Sequence, residues 1–126
     1  MTVFHKSWGG WSRSALYRNN IFVARGTGCR FEPGKSTGNR FVSNLYSGAF
    51  SGMPADSLRK SGDPGFVCED GNLGPNPWMR FMLKEGSPAV DSAVRVIGSG
   101  EKDFTGKPVM NPPDIGPLEY RVSPRQ

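Results

Sequence analysis

The chain has 126 residues, 36% of them hydrophobic, a mean hydropathy of −0.48 and a formal net charge of +5 at pH 7. That is one domain or a piece of one, and the absence of any apolar run near 18 residues excludes a membrane-spanning helix, so no membrane partner is expected. Its 17 glycines and 11 prolines favour short strands joined by turns over a helical bundle. The 16 Lys and Arg are scattered, with no run longer than Arg59-Lys60 and no recognisable binding motif. No nucleic-acid partner is expected, and the positive balance suits either ordinary solubility or an acidic glycan.

In chain order, the opening residues MTVFHKSWGGWS contain no continuous apolar stretch of the kind a signal peptide needs. His5 is the only histidine and lies near one end, so no triad or metal cluster is expected around it, and no metal or other cofactor is predicted. Trp8 and Trp11 flank two glycines, and Tyr17 follows. Exposed indole faces stack on sugar rings, which makes these three candidate substrate-binding residues. The competing reading is an aromatic cover over an open end or interface.

From Arg18 onward the chain repeats itself. Asn20-Ile21-Phe22 returns as Asn44-Leu45-Tyr46, 24 positions later. Glu32 to Lys35 is echoed by Asp56 to Arg59, and Thr37-Gly38-Asn39 by Ser61-Gly62-Asp63. Phe41-Val42-Ser43 recurs as Phe66-Val67-Cys68 with one residue inserted. A period of this length marks stacked supersecondary units. Gly26, Gly28, Pro33, Gly34 and Gly38 leave no room for helices within it, whereas Ile21–Ala24, Cys29–Glu32 and Arg40–Val42 read as short strands. The expected fold is therefore all-β, a short parallel β-solenoid with equivalent residues stacked about 4.8 Å apart.

In that arrangement Asn20 and Asn44 take the left-handed turn conformation and form an amide ladder. Ile21 and Leu45 are expected in the core, with Phe22 and Tyr46 pointing outward, because alternate strand residues face opposite ways. The acid and base pairs Glu32–Lys35 and Asp56–Arg59 are expected to form stacked ion pairs. Arg18 and Arg40 flank core-like positions and are candidate contacts for a glycan carboxylate, with plain exposed charge as the alternative. At a period of 24, Cys29 falls near Met53 and Cys68 near Ser43, so no disulfide is expected between the two cysteines.

Beyond residue 66 the repeat fades into a Gly/Pro/Asn stretch and the apolar run Trp78–Leu83. Ser87-Pro88 predicts a capped turn, and Asp91 and Asp114 are expected to bind nearby backbone amides. Four blocks follow one another: Asp63-Pro64-Gly65-Phe66-Val67, then Leu83 to Asp91 (LKEGSPAVD), then Asp103 to Pro108 (DFTGKP), then Pro113 to Glu119 (PDIGPLE). In this order they resemble the C-terminal region of right-handed parallel β-helix proteins of the pectate-lyase-like superfamily, with Pro117 and Leu118 departing from that pattern.

The resemblance implies a right-handed parallel β-helix with coils over 17–66. Residues 67–126 would be a winding-off segment and C-terminal cap, and 1–16 an N-terminal cover or the remnant of an earlier coil. It further implies a carbohydrate-active protein, or the C-terminal part of one, acting in an extracellular or periplasmic setting. Its substrates would be acidic polysaccharides, and any enzyme activity would be lyase-like. Neither a base with a partner in reach nor a matched carboxylate pair is legible, so no catalytic residue is predicted and the active site is expected to be incomplete. The alternative is a non-catalytic scaffold or self-association module, a homo-oligomer or a piece packed against further N-terminal coils.

Overall fold

A computed structural model describes residues 2–4, 6–7, 10–26, 28–32, 34–67, 77–98 and 100–121, with side chains from Trp11 onward. The fold is all-β. Among the described residues ten short strands form in chain order: β1 (Thr2–Phe4), β2 (Lys6–Ser7), β3 (Gly10–Trp11), β4 (Leu16–Arg18), β5 (Ile21–Val23), β6 (Cys29–Glu32), β7 (Arg40–Val42), β8 (Leu45–Ser47), β9 (Phe50–Ser51) and β10 (Lys60–Ser61). One 3-10 turn spans Pro77–Phe81. β2 and β3 make an antiparallel hairpin. The other pairings between strands are parallel and build three small sheets: β1-β6-β9, β10-β8-β5 and β4-β7.

The 24-residue repeat is written into the pairing. Leu16 lies beside Arg40, and Ile21 beside Leu45. The spacing already holds at Arg13 and Thr37, upstream of the expected start at 17. Elsewhere it changes: 28 residues separate Thr2 from its partner Arg30, 21 separate Cys29 from Phe50, and 15 separate Leu45 from Lys60. Three expectations are corrected by this drift. Cys29 stands beside Phe50 rather than near Met53; Ser61 stands beside Tyr46 rather than in register with Thr37; and Phe66 bridges antiparallel to Leu83 instead of stacking on Phe41. Cys68 lies outside the described residues.

Asn20 and Asn44 form the expected ladder. Asn44 Oδ1 accepts the Asn20 backbone N–H at 2.9 Å and its side-chain amide at 3.1 Å. Asp56 repeats the same chemistry one step on: its Oδ2 accepts the Asn44 backbone N–H at 3.0 Å and the Asn44 Nδ2 at 2.9 Å. The left-handed residues are not these asparagines but the ones before them, Asn19 (φ 59°) and Ser43 (φ 58°). The expected ion pairs do not form either. Glu32 binds Arg30 at 2.9 Å, and Asp56 is taken up by backbone amides.

Two hydrophobic clusters flank β5 and β8. Phe31, Phe41 and Tyr46 are buried between the three sheets, with Tyr17, Phe22 and Phe50 packed around them. Tyr17 stacks on Phe41 with ring centres 4.6 Å apart, and Phe22 on Tyr46 at 5.3 Å. Phe22 and Tyr46 therefore point inward, not outward. Ile21 and Leu45 do occupy a core as expected, but it is the second one, where Leu45 and Ile21 meet Leu83, Ala89 and Ile115 of the C-terminal segment. An apolar outer face is left stable because the tail covers it.

The same left-handed residues attach that tail. Asn19 Nδ2 donates to the Val94 carbonyl at 2.7 Å while its Oδ1 accepts the Val94 N–H at 3.0 Å. Ser43 Oγ donates to the Ser92 carbonyl at 2.8 Å. Within the tail, Ser87 Oγ accepts the Ala89 N–H at 3.1 Å, the capped turn expected of Ser87-Pro88. Asp114 accepts amides from Asp91 and Tyr120, whereas Asp91 is exposed and enters this pairing as a donor.

Candidate functional site

Strand alternation sorts the residues of β4 and β7. Tyr17 and Phe41 turn into the aromatic cluster, so Leu16, Arg18, Arg40 and Val42 share the opposite face. Arg40 and Leu16 are exposed, and Arg18 and Val42 half-buried. The structure thus brings two of the five candidate residues, Arg18 and Arg40, onto one surface of one sheet. Tyr17 sits within the aromatic cluster. Trp11 is half-buried, with its ring laid over Gly34, where an added Cβ would fall 2.2 Å from the indole. Trp8 lies outside the described residues, as does His5.

Arg18 also opens onto a groove of about 730 Å³ between β5 and the tail, walled by Ile21, Val23, Phe66, Phe81 and Pro117. Phe81 is 44% exposed, and the Arg80 guanidinium lies 5.5 Å from its ring centre. A cation over an exposed ring suits a ligand with both negative charge and an apolar face. Phe66 and Phe81 meet edge to face at 5.6 Å, which holds the wall of the groove in place. Their part was not legible in the sequence, because Phe66 read as a repeat residue and Phe81 as one member of an apolar run.

A second cleft of about 420 Å³ lies within the tail and is lined by Asn19, Asp103, Phe104, Asp114 and Glu119 among others. Asp103, Asp114 and Glu119 are committed to backbone amides, and Glu101, which also lines the cleft, pairs with Arg95 at 2.6 Å. Burial pushes the Asp103 carboxyl upward, but hydrogen bonds from Thr105, Lys107 and Glu119 outweigh it and leave its pKa below the ordinary value. Burial raises Glu119, and the neighbouring Asp114 charge adds to it against amide bonds from Asp114 and Met110. At the ladder, burial again opposes and the amides of Asn44, Ser43 and Leu58 prevail, so Asp56 is lowered. Tyr46 is raised by burial and by the Asp56 carboxylate that its hydroxyl faces at 3.3 Å. Asp56 and Asp103, lowered in this way, are poor proton acceptors.

Among the described residues, no group of three His, Cys, Asp or Glu side chains is placed to hold a metal ion. No helix among the described residues is long and apolar enough to cross a membrane. The chain matches no protein-family model, and no curated protein matches it.

Proposed function

We propose that the chain is the C-terminal part, or a minimal relative, of a right-handed parallel β-helix protein that binds acidic polysaccharide through Arg18 and Arg40 without completing an active site of its own. The observation that carries this reading is the shared outer face of the paired strands β4 and β7, which carries both Arg18 and Arg40, with Arg18 also lining a groove that holds the exposed ring of Phe81. Three supports stand behind it: the constant 24-residue register of β4-β7 and β5-β8, the aromatic interior enclosed by three parallel sheets, and the ordered motifs of 63–120. Binding is favoured over turnover because Asp56 and Asp103 are lowered and amide-bound.

The test is calorimetric titration with polygalacturonate and, in parallel, a neutral galactan. Binding should be confined to the acidic polymer and weaken with salt. Replacing both Arg18 and Arg40 by Ala should weaken it about tenfold or more while the fold is kept. Unchanged affinity in that variant sinks the assignment, and loss on Trp11→Ala alone moves the site to the N-terminal aromatics.

A second reading, a scaffold or self-association module, is favoured by the exposed strand residues Leu16 and Val23, which are 48% and 37% accessible. Light scattering on a sizing column separates the two, since self-association gives a discrete dimer or trimer.

A further inference from the structure

The hydrogen bonds of β5 run one way. The Asn20 carbonyl accepts Leu45 N–H at 2.9 Å, and Ala24 N–H donates to the Ser47 carbonyl at 2.8 Å. In a parallel ladder alternate residues bond to the same neighbour, so Asn20, Phe22 and Ala24 face β8. Ile21 and Val23 then present their N–H and C=O groups on the opposite edge, where no strand pairs with them among the described residues. Such an edge is a template for another extended chain.

The polar ladder says what kind of chain fits. Each rung's acceptor takes the backbone N–H and side-chain amide of the rung before it: Asn44 from Asn20, and Asp56 from Asn44. Asn20 Oδ1 is the one rung acceptor that receives neither among the described residues. Asn20 is exposed, so this oxygen is open to a donor, and a residue stacked before it with a carboxamide can supply one. At the other end Asp56 is a carboxylate, which accepts but has nothing to donate, so the ladder stops there. A second copy stacked head to tail would set Asp56 against Asn20 Oδ1, acceptor against acceptor. That argues against self-stacking.

We propose that the open edge of β5 docks an extended segment of a partner polypeptide, running parallel to β5 and carrying Asn at the position over Asn20. The proposal rests on the strand edge and not on polysaccharide binding. The neighbouring sheet shows the same mode of addition, since β1 pairs in parallel along β6. Beyond the Asn, register prescribes the rest of the segment. Its next residue lies over Ile21 and faces the groove of Phe66, Phe81 and Pro117, and is apolar. The one after lies over Phe22 and caps the aromatic cluster, and is aromatic. The partner motif is thus Asn-apolar-aromatic, the phrase that the chain itself uses at Asn20 and Asn44.

The probe is a capped synthetic peptide with the sequence of residues 18–25, titrated into isotope-labelled protein while amide exchange is read residue by residue. Exchange at Ile21 and Val23 should slow about tenfold at saturation while the already paired amides of β8 change little. A peptide with Asn20→Asp should bind about tenfold more weakly, because its carboxylate faces an acceptor. The protein variant Val23→Pro removes an N–H that β8 does not use, and should abolish peptide binding. The Asp-bearing peptide tests the rung without altering the protein. No protection at millimolar peptide, equal affinity of the two peptides, or full binding by Val23→Pro overturns the proposal. So does protection that grows with protein concentration in the absence of peptide, which would make a second copy the occupant. Polygalacturonate affinity, measured on the same samples, fails or survives independently.

Discussion

Asp56 is where the ladder ends, and replacing it by Asn measures what that ending is worth. Its Oδ1 accepts Ser43 N–H at 2.7 Å and Leu58 N–H at 3.2 Å; its Oδ2 accepts Asn44 N–H, Asn44 Nδ2 and, at 3.3 Å, the Tyr46 hydroxyl. An Asn keeps one oxygen, best placed on the Asn44 side, and turns an NH₂ group toward the Ser43 and Leu58 donors. Ser43 is fully buried, so its N–H loses its partner without gaining water. One orphaned buried donor costs about 1–3 kcal/mol, and losing the charge weakens the remaining bonds. The sum is about 3 kcal/mol, a large share of an ordinary domain's stability.

Urea unfolding of wild type and Asp56→Asn at pH 7 reads this difference directly. The pH dependence supplies a second check. The Asp56 pKa is depressed on folding, so its contribution is full above the ordinary value of 3.8 and drains away as pH falls through the lower folded value. The gap between the two proteins should therefore narrow in acid, because protonated Asp56 also loses an acceptor. A gap under about 1 kcal/mol at pH 7, or one that stays constant into acid, refutes the role assigned to this carboxylate.

Three further substitutions probe packing and backbone strain. At Gly48 (φ 103°) an added Cβ would stand 2.1 Å from the Ala24 carbonyl oxygen, so Gly48→Ala should cost more than about 2 kcal/mol in thermal unfolding. Gly106→Ala, also at positive φ but with nothing within 4 Å, isolates backbone strain and should cost about 1 kcal/mol. Ile115 is fully buried against Leu45, and Ile115→Ala should cost about 2–5 kcal/mol and expose the tail to limited proteolysis before the parallel sheets. Simultaneous cleavage of both would show that tail and sheets unfold as one unit.

Part of this architecture was legible in the residues alone. A repeated phrase at 24 positions predicted that Asn20 meets Asn44, Ile21 meets Leu45 and Phe22 meets Tyr46, because parallel stacking places equivalent residues side by side, and all three pairs form. The strands Cys29–Glu32 and Arg40–Val42 were read to their ends, and the tail's Ser87 and Asp114 were recognised as backbone binders. Arg18 and Arg40 were named as candidate contacts from the sequence, and that they share one face follows from the β4-β7 register.

What the sequence left open has a common cause. Ile21, Phe22, Leu45 and Tyr46 are all apolar, so strand alternation separated two faces without saying which one was inner. That was decided by Phe31, Phe41 and Phe50, which arrive from other sheets to fill the aromatic side, and by Leu83, Ala89 and Ile115, which cover the other. Acid, hydroxyl and glycine matches likewise suggested one period throughout, yet the chain shortens its path until Lys60 reaches Leu45 after only 15 residues. Local pattern determined which residues are equivalent; which segments cover them, and where the ladder stops, depended on contacts between residues far apart in the chain.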